Sequence, residues 1–353
     1  ARLGGDEFVI LDPDLPDRTR AIALAERVRA ALSAPYTIDG KEAFVGVSIG
    51  ITFADESTVS GAELMREADV AMYRAKLSQG SRINVFDSLL EAEVAQRLDL
   101  DTALRRAVER DQFQLAVQPI VTLSTGRVAG FEALLRWHRP GLPPVQPDVF
   151  IPLAEDNGMI VEIGRWVLKE AIQRLAGWQA TGLADGLTMS VNVSARQVRE
   201  PGFADEILEL LRINGVPPES LVVELTEHAL IDLLVAYPIL GRLREAGVYV
   251  SLDDFGTGYS SLTQLRTLPV DEIKLDRSFT AALDEGDAKH SAVVQSVVAM
   301  AEALALRLVI EGIETVAERD ALIAMGAATG QGFLFARPMD WAAAQELLTT
   351  GGI

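Results

Sequence analysis

Two adjacent aspartates, Asp253 and Asp254, close the apolar run Gly247-Val-Tyr-Val-Ser-Leu252, and a glycine-rich stretch, Phe255-Gly-Thr-Gly-Tyr-Ser-Ser261, follows at once. Neighbouring side chains on a strand face opposite ways, so a paired acid there costs stability unless a cation binds it. Where the strand ends and the backbone turns, both carboxylates can reach one pair of ions. Hard oxygen ligands suit Mg²⁺ or Mn²⁺. Two such ions ~3.5–4 Å apart would share a water, lower its pKa and clamp an attacked phosphoryl group.

Residues of this kind need a rigid frame, and the surrounding sequence predicts one. From Phe113 onward, short apolar runs alternate with helical stretches. The predicted strands are Leu115–Pro119, Gly130–Leu135, Thr188–Val193, Leu221–Leu225, Val248–Leu252, Glu272–Leu275, Leu308–Ile310 and Thr329–Leu334. Helical patterns over Glu162–Thr181, Ala204–Asn214, Asp232–Ala246, Ala288–Leu304 and Ala317–Met325 separate most of them. Eight strands with intervening helices over ~230 residues fit an α/β fold of the (β/α)8 TIM-like barrel type better than an open doubly wound sheet. No Walker A motif occurs, and no Gly-x-Gly-x-x-Gly follows the first strand.

A barrel gathers its chemistry where strands run out into loops. The predicted strand ends carry Gln118, Glu132, Asn192, Glu224, Asp253 with Asp254, Lys274, Glu311 and Gln331. Five of these are carboxylates, with Lys274 and Arg136 to balance them. Crowded carboxylates raise one another's pKa and repel, a conflict that divalent cations remove. Taken singly, each acid reads equally well as a solvated loop residue or a helix N-cap; the set as a whole does not. Within it Asp253 is best placed to bridge two ions, with Glu132, Asn192 and Glu224 on one side and Asp254 on the other. Lys274 can orient the shared water or neutralise developing charge.

The chain has 353 residues, more than one ordinary core, so two domains are expected. A formal charge of −19 argues against a polymeric nucleic-acid groove or an anionic membrane surface. A small anionic substrate would need local cations. Cysteine is absent, which excludes disulfides and thiolate metal sites and points to a reducing cytoplasm. His138, His228 and His290 lack metal-ligand spacing and read as surface or packing residues. The most apolar region, 291–310, is interrupted by Gln295, Glu302 and Arg307, so no membrane span is expected. No signal peptide is visible. The opening Ala-Arg-Leu-Gly-Gly falls inside what reads as a structural element, as in a piece of a longer parent whose upstream segments could anchor it in a membrane.

The first ~86 residues read as strand (Phe8–Leu11), helix (Arg18–Leu32), strand (Phe44–Phe53), helix (Ala62–Lys76) and closing strand (Arg82–Phe86). Ser88–Arg110 reads as an amphipathic connecting helix. The expected division is therefore residues 1–87, a linker helix over 88–111, and a barrel over 112–353.

Glu132-Ala-Leu-Leu-Arg-Trp137 resembles the signature of EAL-domain phosphodiesterases, which hydrolyse cyclic di-GMP to linear pGpG. The resemblance runs from about Phe113 to Met339. It includes Gln118-Pro-Ile120, Ser190-Val-Asn-Val-Ser-Ala-Arg-Gln197, Glu224-Leu-Thr-Glu227, Asp253-Asp-Phe-Gly-Thr-Gly258, Lys274-Leu-Asp276, Glu311-Gly-Ile-Glu314 and Gln331-Gly-Phe333. A lone EAL tripeptide means nothing; this ordered series is specific. It implies metal roles for Glu132, Asn192, Glu224, Asp253 and Asp254, with Glu311 completing a second ion's shell or handling a proton. It implies that Lys274 holds the nucleophilic water and that Gln118, Leu135, Arg136, Glu314 and Gln331 contact the dinucleotide. Glu227 would steady the loop after the aspartates, where Gly256 and Gly258 supply freedom to close. A homodimer through the barrel is a further implication. Ile310 and Ile313 stand where the family often has Ala and Val, and neither removes a ligand.

The first region looks like the C-terminal half of a GGDEF domain, the diguanylate cyclase fold. Gly4-Gly5-Asp6-Glu7-Phe8, Ser48-Ile-Gly50 and Ala68-Asp-Val-Ala-Met-Tyr73 with Lys76 fit it. In that family Glu7 helps bind metal and the glycines admit GTP. The preceding metal-binding strand, guanine pocket and inhibitory site would lie before Ala1, and Arg82 stands further beyond Lys76 than the family's phosphate-binding arginine. No cyclase activity is expected of this chain, though GTP could regulate a complete parent. Against the enzyme reading stands a non-catalytic cyclic di-GMP receptor, which would not need so full a ligand set.

Overall fold

Apolar periodicity sets most of the elements, and their order follows the expected alternation. The structure is a computed structural model. It describes residues 1–13, 17–38, 41–54, 60–77, 82–227, 237–257, 265–281, 283 and 288–350. Two compact units divide the chain, Ala1–Thr102 and Ala103–Ile353.

In the first unit, β1 (Arg2–Gly4) and β2 (Glu7–Phe8) pair antiparallel. Gly5 and Asp6 thus form a hairpin tip, and the strand expected over Phe8–Leu11 is not formed, since β2 ends at Phe8. Helix α1 (Arg18–Leu32) has its predicted bounds because Asp17 caps it, accepting from the Arg20 N–H at 2.8 Å. A second hairpin, β3 (Tyr36–Ile38) with β4 (Lys41–Ala43), was not expected. The predicted strand Phe44–Phe53 contracts to β5 (Ile49–Ile51), the part that finds a ladder partner in β6 (Ile83–Val85). Helix α2 (Gly61–Leu77) lies between them in sequence. Helix α3 (Ser88–Leu104) stops short of Arg110. Turns follow it, and Asp111 at φ 51° closes them with Gln112 N–H donating to the Ala107 carbonyl at 3.0 Å.

The second unit is a closed eight-stranded barrel. Its strands are β7 (Phe113–Thr122), β8 (Val128–Trp137), β9 (Thr188–Asn192), β10 (Leu221–Thr226), β11 (Tyr249–Phe255), β12 (Glu272–Leu275), β13 (Arg307–Ile310) and β14 (Thr329–Gly330). All eight predicted strands are present. One departs from an all-parallel arrangement: β7 runs antiparallel to both β8 and β14. The link from β7 to β8 spans residues 123–127, too short for a crossover helix, which takes a dozen residues or more. Strand β14 is also shorter than predicted. Beyond Gln331 the backbone turns against β13's loop, where a Cβ on Gly332 would meet the Ile313 carbonyl at 2.0 Å.

Helices α4 (Pro147–Asn157), α5 (Ile160–Ala180), α6 (Ala195–Val198), α7 (Phe203–Asn214), α8 (Tyr237–Glu245), α9 (Ala288–Ala303), α10 (Val316–Ala324) and α11 (Trp341–Thr350) accompany the strands. The predicted helix from Asp232 begins outside the described residues. Helix α5 buries Ile163, Val167, Ala171, Leu175 and Trp178, a stripe at helical spacing. Burying each large aliphatic contributes about 1.5–3 kcal/mol. At the far end of the β7–β8 hairpin, Trp137, Phe113 and Phe150 pack ring to ring and Trp137 Nε1–H donates to Gln112 Oε1 at 3.1 Å. That cluster fixes the strand carrying Glu132. No described helix is long and apolar enough to cross a membrane.

Candidate active site

Side chains alternate along each barrel strand, so one residue in two faces inward. Glu132, Asn192, Glu224, Asp253 and Lys274 do so from β8 to β12, while Glu311 and Gln331 follow β13 and β14. They converge on Lys274, which is fully buried. Its Nζ lies 2.7 Å from Glu311 Oε1, 3.1 Å from Glu224 Oε2, 3.2 Å from Glu132 Oε2 and 3.5 Å from Asp253 Oδ1. Glu132 is held further by Gln331 Nε2–H at 2.7 Å and Asn192 Nδ2–H at 2.9 Å. Gln118 and Glu132 lie mid-strand rather than at strand ends, because β7 and β8 are longer than the sequence suggested.

How two adjacent aspartates serve one site is settled by β11. Leu252 pairs with Ile273 but Phe255 with Leu275, so β11 carries an extra residue, a bulge. Asp254 takes φ 55°, a left-handed conformation that Asp tolerates better than most side chains. The alternation breaks there. Oxygens of Asp253, Asp254 and Glu311 consequently lie within 4.8 Å of one another.

One ammonium faces four carboxylates, and the titration of each group reflects that imbalance. Burial opposes the charge of Lys274, but the surrounding Glu132, Glu224, Glu311 and Asp253 raise its pKa well above the usual value. Burial also opposes the charge of Glu132, yet Lys274 and the donors Gln331 and Asn192 outweigh it and hold that carboxyl low. For Glu224, burial wins, and its carboxyl is raised well above the ordinary range despite Lys274. Burial likewise pushes Glu311 up to about 7, only partly offset by Lys274. Asp254 is raised by burial, then by Asp253 and Asp276.

The loop after the aspartates is anchored at its start. Gly256 has φ 99°, and a Cβ there would lie 2.6 Å from the Phe279 ring. Its N–H points to Glu227 Oε2 at 3.4 Å. Gly258, the rest of the loop through Ser261, and His228 lie outside the described residues.

The remaining predicted residues are more dispersed. Gln118 pairs with Glu132 across the sheet and donates its Nε2–H to the Ala336 carbonyl at 3.0 Å. Arg136 does not help balance the carboxylates through a hydrogen bond. Its Nη1–H donates to the Leu135 carbonyl at 2.9 Å, and burial lowers its pKa although Glu132 opposes this. Leu135 is half-buried beside it. Glu314 is exposed, and its backbone N–H is held by Glu318 Oε2 at 2.7 Å. Glu318 and Thr315 form the capping box that starts α10 and so places Glu314. In the first unit, Gly4, Gly5, Asp6 and Glu7 are exposed on the β1–β2 hairpin.

Sequence reasoning assigned no part to Asp276, whose charge bears on Asp254, although it stands two residues after Lys274 on a quoted motif. It also passed over Ser190, Ser251 and Glu272, all buried in the barrel interior. Each precedes a site residue by two, the spacing that marks a shared strand face.

The donors suit a divalent cation. They are all oxygens apart from Lys274, carboxylates outnumber ammonium groups, and Glu224 Oε1 is buried without a hydrogen-bond partner. The trio Asp253, Asp254 and Glu311 is a cluster able to hold such an ion.

Comparison with known proteins agrees with this geometry. Residues 101–338 match the family described as "EAL domain", and residues 1–82 match "Diguanylate cyclase, GGDEF domain". The chain is 40% identical over 351 residues to the bifunctional diguanylate cyclase/cyclic di-GMP phosphodiesterase MucR of Pseudomonas aeruginosa, covering 99% of this chain and 50% of that protein. It is 37% identical over 340 residues to the cyclic di-GMP phosphodiesterase PdeR of Escherichia coli, covering 96% and 51%. The chain thus spans about half the length of these relatives. A solved structure titled "PaMucR Phosphodiesterase, c-di-GMP complex" aligns with TM-score 0.66 at 40% identity, over 70% of this chain and 99% of that one. With its barrel, its converging acids and its matched motifs, this chain belongs to the EAL-domain family.

Proposed function

We propose that the barrel hydrolyses cyclic di-GMP to linear pGpG with two divalent cations, Mg²⁺ or Mn²⁺. The observation that carries this reading is the excess of converging carboxylates over the one ammonium of Lys274. A relative of this chain is named a cyclic di-GMP phosphodiesterase and another was solved with c-di-GMP, which supports the substrate. A second anion would be repelled by such a site, so the cations are what make a phosphodiester acceptable.

Glu132, Asn192, Glu224, Asp253, Asp254 and Glu311 would hold the ions, with Asp253 between them. Bound there, the ions would lower the pKa of a water and offset charge on the phosphoryl oxygens. Lys274 keeps four carboxylates converged and can orient the attacking water. Attack on phosphorus breaks one P–O3′ bond; the water loses a proton and the 3′ oxygen gains one. Glu311 would either complete the second ion's shell or, free of the ion, handle such a proton. Gln118, Leu135, Arg136, Glu314 and Gln331 would contact the dinucleotide, and Glu227 would steady the loop through Gly256.

Residues 1–87 are assigned to the GGDEF-type region, 88–111 to a linker helix and 112–353 to the barrel. In a longer parent, GTP at a complete GGDEF domain would regulate the barrel. A homodimer through the barrel and a cytoplasmic setting complete the proposal; polymeric nucleic acid is not a partner for a chain of net charge −19. The test is cleavage of cyclic di-GMP with and without Mg²⁺, the product identified. Glu132→Ala or Asp253→Ala should abolish pGpG release in a folded protein. Hydrolysis that persists in chelator, or binding without any cleavage, refutes the catalytic reading.

A further inference from the structure

Beneath the carboxylates the barrel interior is polar, where such layers are ordinarily filled by branched aliphatic side chains. Ser190, Ser251 and Glu272 each lie two residues before a site residue on the same strand: Asn192, Asp253 and Lys274. They therefore point into the barrel one layer below the site. Their exposures are 0%, 0% and 2%.

These residues are also neighbours across the sheet. Glu224 pairs with Ser251, Ser251 with Glu272, and Glu272 with Arg307. Ser190 pairs with Glu132 on one side and Val222 on the other. The row runs from a site carboxylate to Arg307, whose side chain is 39% exposed and whose Nε–H donates to Glu272 Oε2 at 2.8 Å. Arg307 lies over the Tyr249 ring at 4.2 Å, which holds the guanidinium at that end.

Ser190 Oγ, Ser251 Oγ and Glu272 Oε1 have no hydrogen-bond partner within the protein. Leaving a buried polar group unpaired is costly, and folded proteins satisfy nearly all of them. Serine is smaller than the Val or Ile of an ordinary barrel layer, so the two serines leave volume beside these atoms. Room together with converging polar groups is what a buried water requires.

We propose that Ser190, Ser251 and the free oxygen of Glu272 bind a file of internal water beneath the site, and that this water holds Glu224 in place for cation binding. The role at Glu224 rests on the metal reading above. Ligating carboxylates are themselves hydrogen-bonded, and the partners that orient them govern metal affinity. Ser251 and Glu272 are thus positioning residues that act through water and Glu224.

The test pairs a high-resolution crystal structure of the 353-residue chain with Mn²⁺ titration calorimetry on wild type, Ser251→Val and Ser251→Thr. Ordered water within hydrogen-bond reach of Ser251 Oγ and Glu272 Oε1 is expected in the wild type. Valine fills the volume and removes the hydroxyl, so Mn²⁺ affinity should fall by about 10-fold or more. Threonine keeps the hydroxyl and should bind Mn²⁺ near the wild-type level. The unfolding midpoint in chelator should hold or rise in Ser251→Val while affinity falls, a split that a purely structural role would not produce. If Ser251→Val does not fold, Ser190→Val carries the same comparison. Dry density at these atoms, or unchanged Mn²⁺ affinity in the valine variant, overturns the proposal. A wild type that takes up no Mn²⁺ sinks the metal reading and the Glu224 role together, while the density still decides the water site.

Discussion

Replacing Lys274 with methionine keeps most of the unbranched apolar stem and removes the one cation among four carboxylates. All four lie within 3.5 Å of its Nζ, and the lysine is wholly buried. Removing one partner of a buried ion pair costs roughly 3–5 kcal/mol, because the stranded charges keep their desolvation penalty. At ~2–4 °C per kcal/mol for a unit of this size, the midpoint should drop by roughly 6–20 °C. All four tryptophans, Trp137, Trp166, Trp178 and Trp341, belong to the barrel unit, so their fluorescence follows its unfolding alone. The decisive comparison is chelator against saturating Mg²⁺. Divalent cations take over the neutralising task, so the loss should be large in chelator and much smaller with Mg²⁺, while turnover stays abolished in both. Acid should shrink the loss as well, since protonated carboxylates no longer need the ammonium. An equal loss with and without Mg²⁺, or none at pH 7 in chelator, refutes the electrostatic account of this core.

Three further outcomes follow from the same charges. Glu311 has a folded pKa of about 7 against an ordinary value of 4.5, so the stability it contributes is present below 4.5 and lost as pH rises through 7. The metal-free midpoint should therefore fall across that window, and a midpoint that rises in chelator contradicts it. Mn²⁺ must displace the same proton, so its affinity should climb up to tenfold per pH unit below about 7, with proton release measurable in buffers of differing ionisation enthalpy. Asp254→Asn keeps a residue that tolerates the left-handed backbone but removes a charge raised by burial and by Asp253. It should stabilise the metal-free protein slightly while lowering Mn²⁺ affinity more than about 100-fold, beyond the effect of losing an orienting partner; calorimetry and the fluorescence midpoint decide both.

The barrel and most of its acids were legible because alternation and strand-end polarity are local signals. Glu224, Asp253 and Lys274 each sit at the inward parity of a short apolar run, and the fold then has little choice but to bring them together. What escaped was conformational or long-range. The reversal of β7 was written in the short link around Ser124-Thr125-Gly126, but strand runs alone do not carry direction. Asp39-Gly40 between Ile38 and Lys41 is a two-residue hairpin signal, weak beside the longer periodic segments around it. The bulge and left-handed Asp254 have no signature of their own, since an aspartate before Phe255 and Gly256 suits many turns. Arg136 acts on Glu132 through its charge alone, and sequence gives that charge but not the direction of its hydrogen bonds. Its backbone hydrogen bond is a matter of rotamer, settled only by packing.

Strand β7 reaches Trp137 with its first residue, Phe113, so the polypeptide enters the barrel at the mouth where the parallel strands finish. In an all-parallel barrel the lead-in arrives at the opposite mouth, insulated from the chemistry by the full height of the sheet. Here a pull or twist applied ahead of Phe113 would act directly on the strand that carries Gln118. Reversing a single strand gives this architecture an input port beside its working parts.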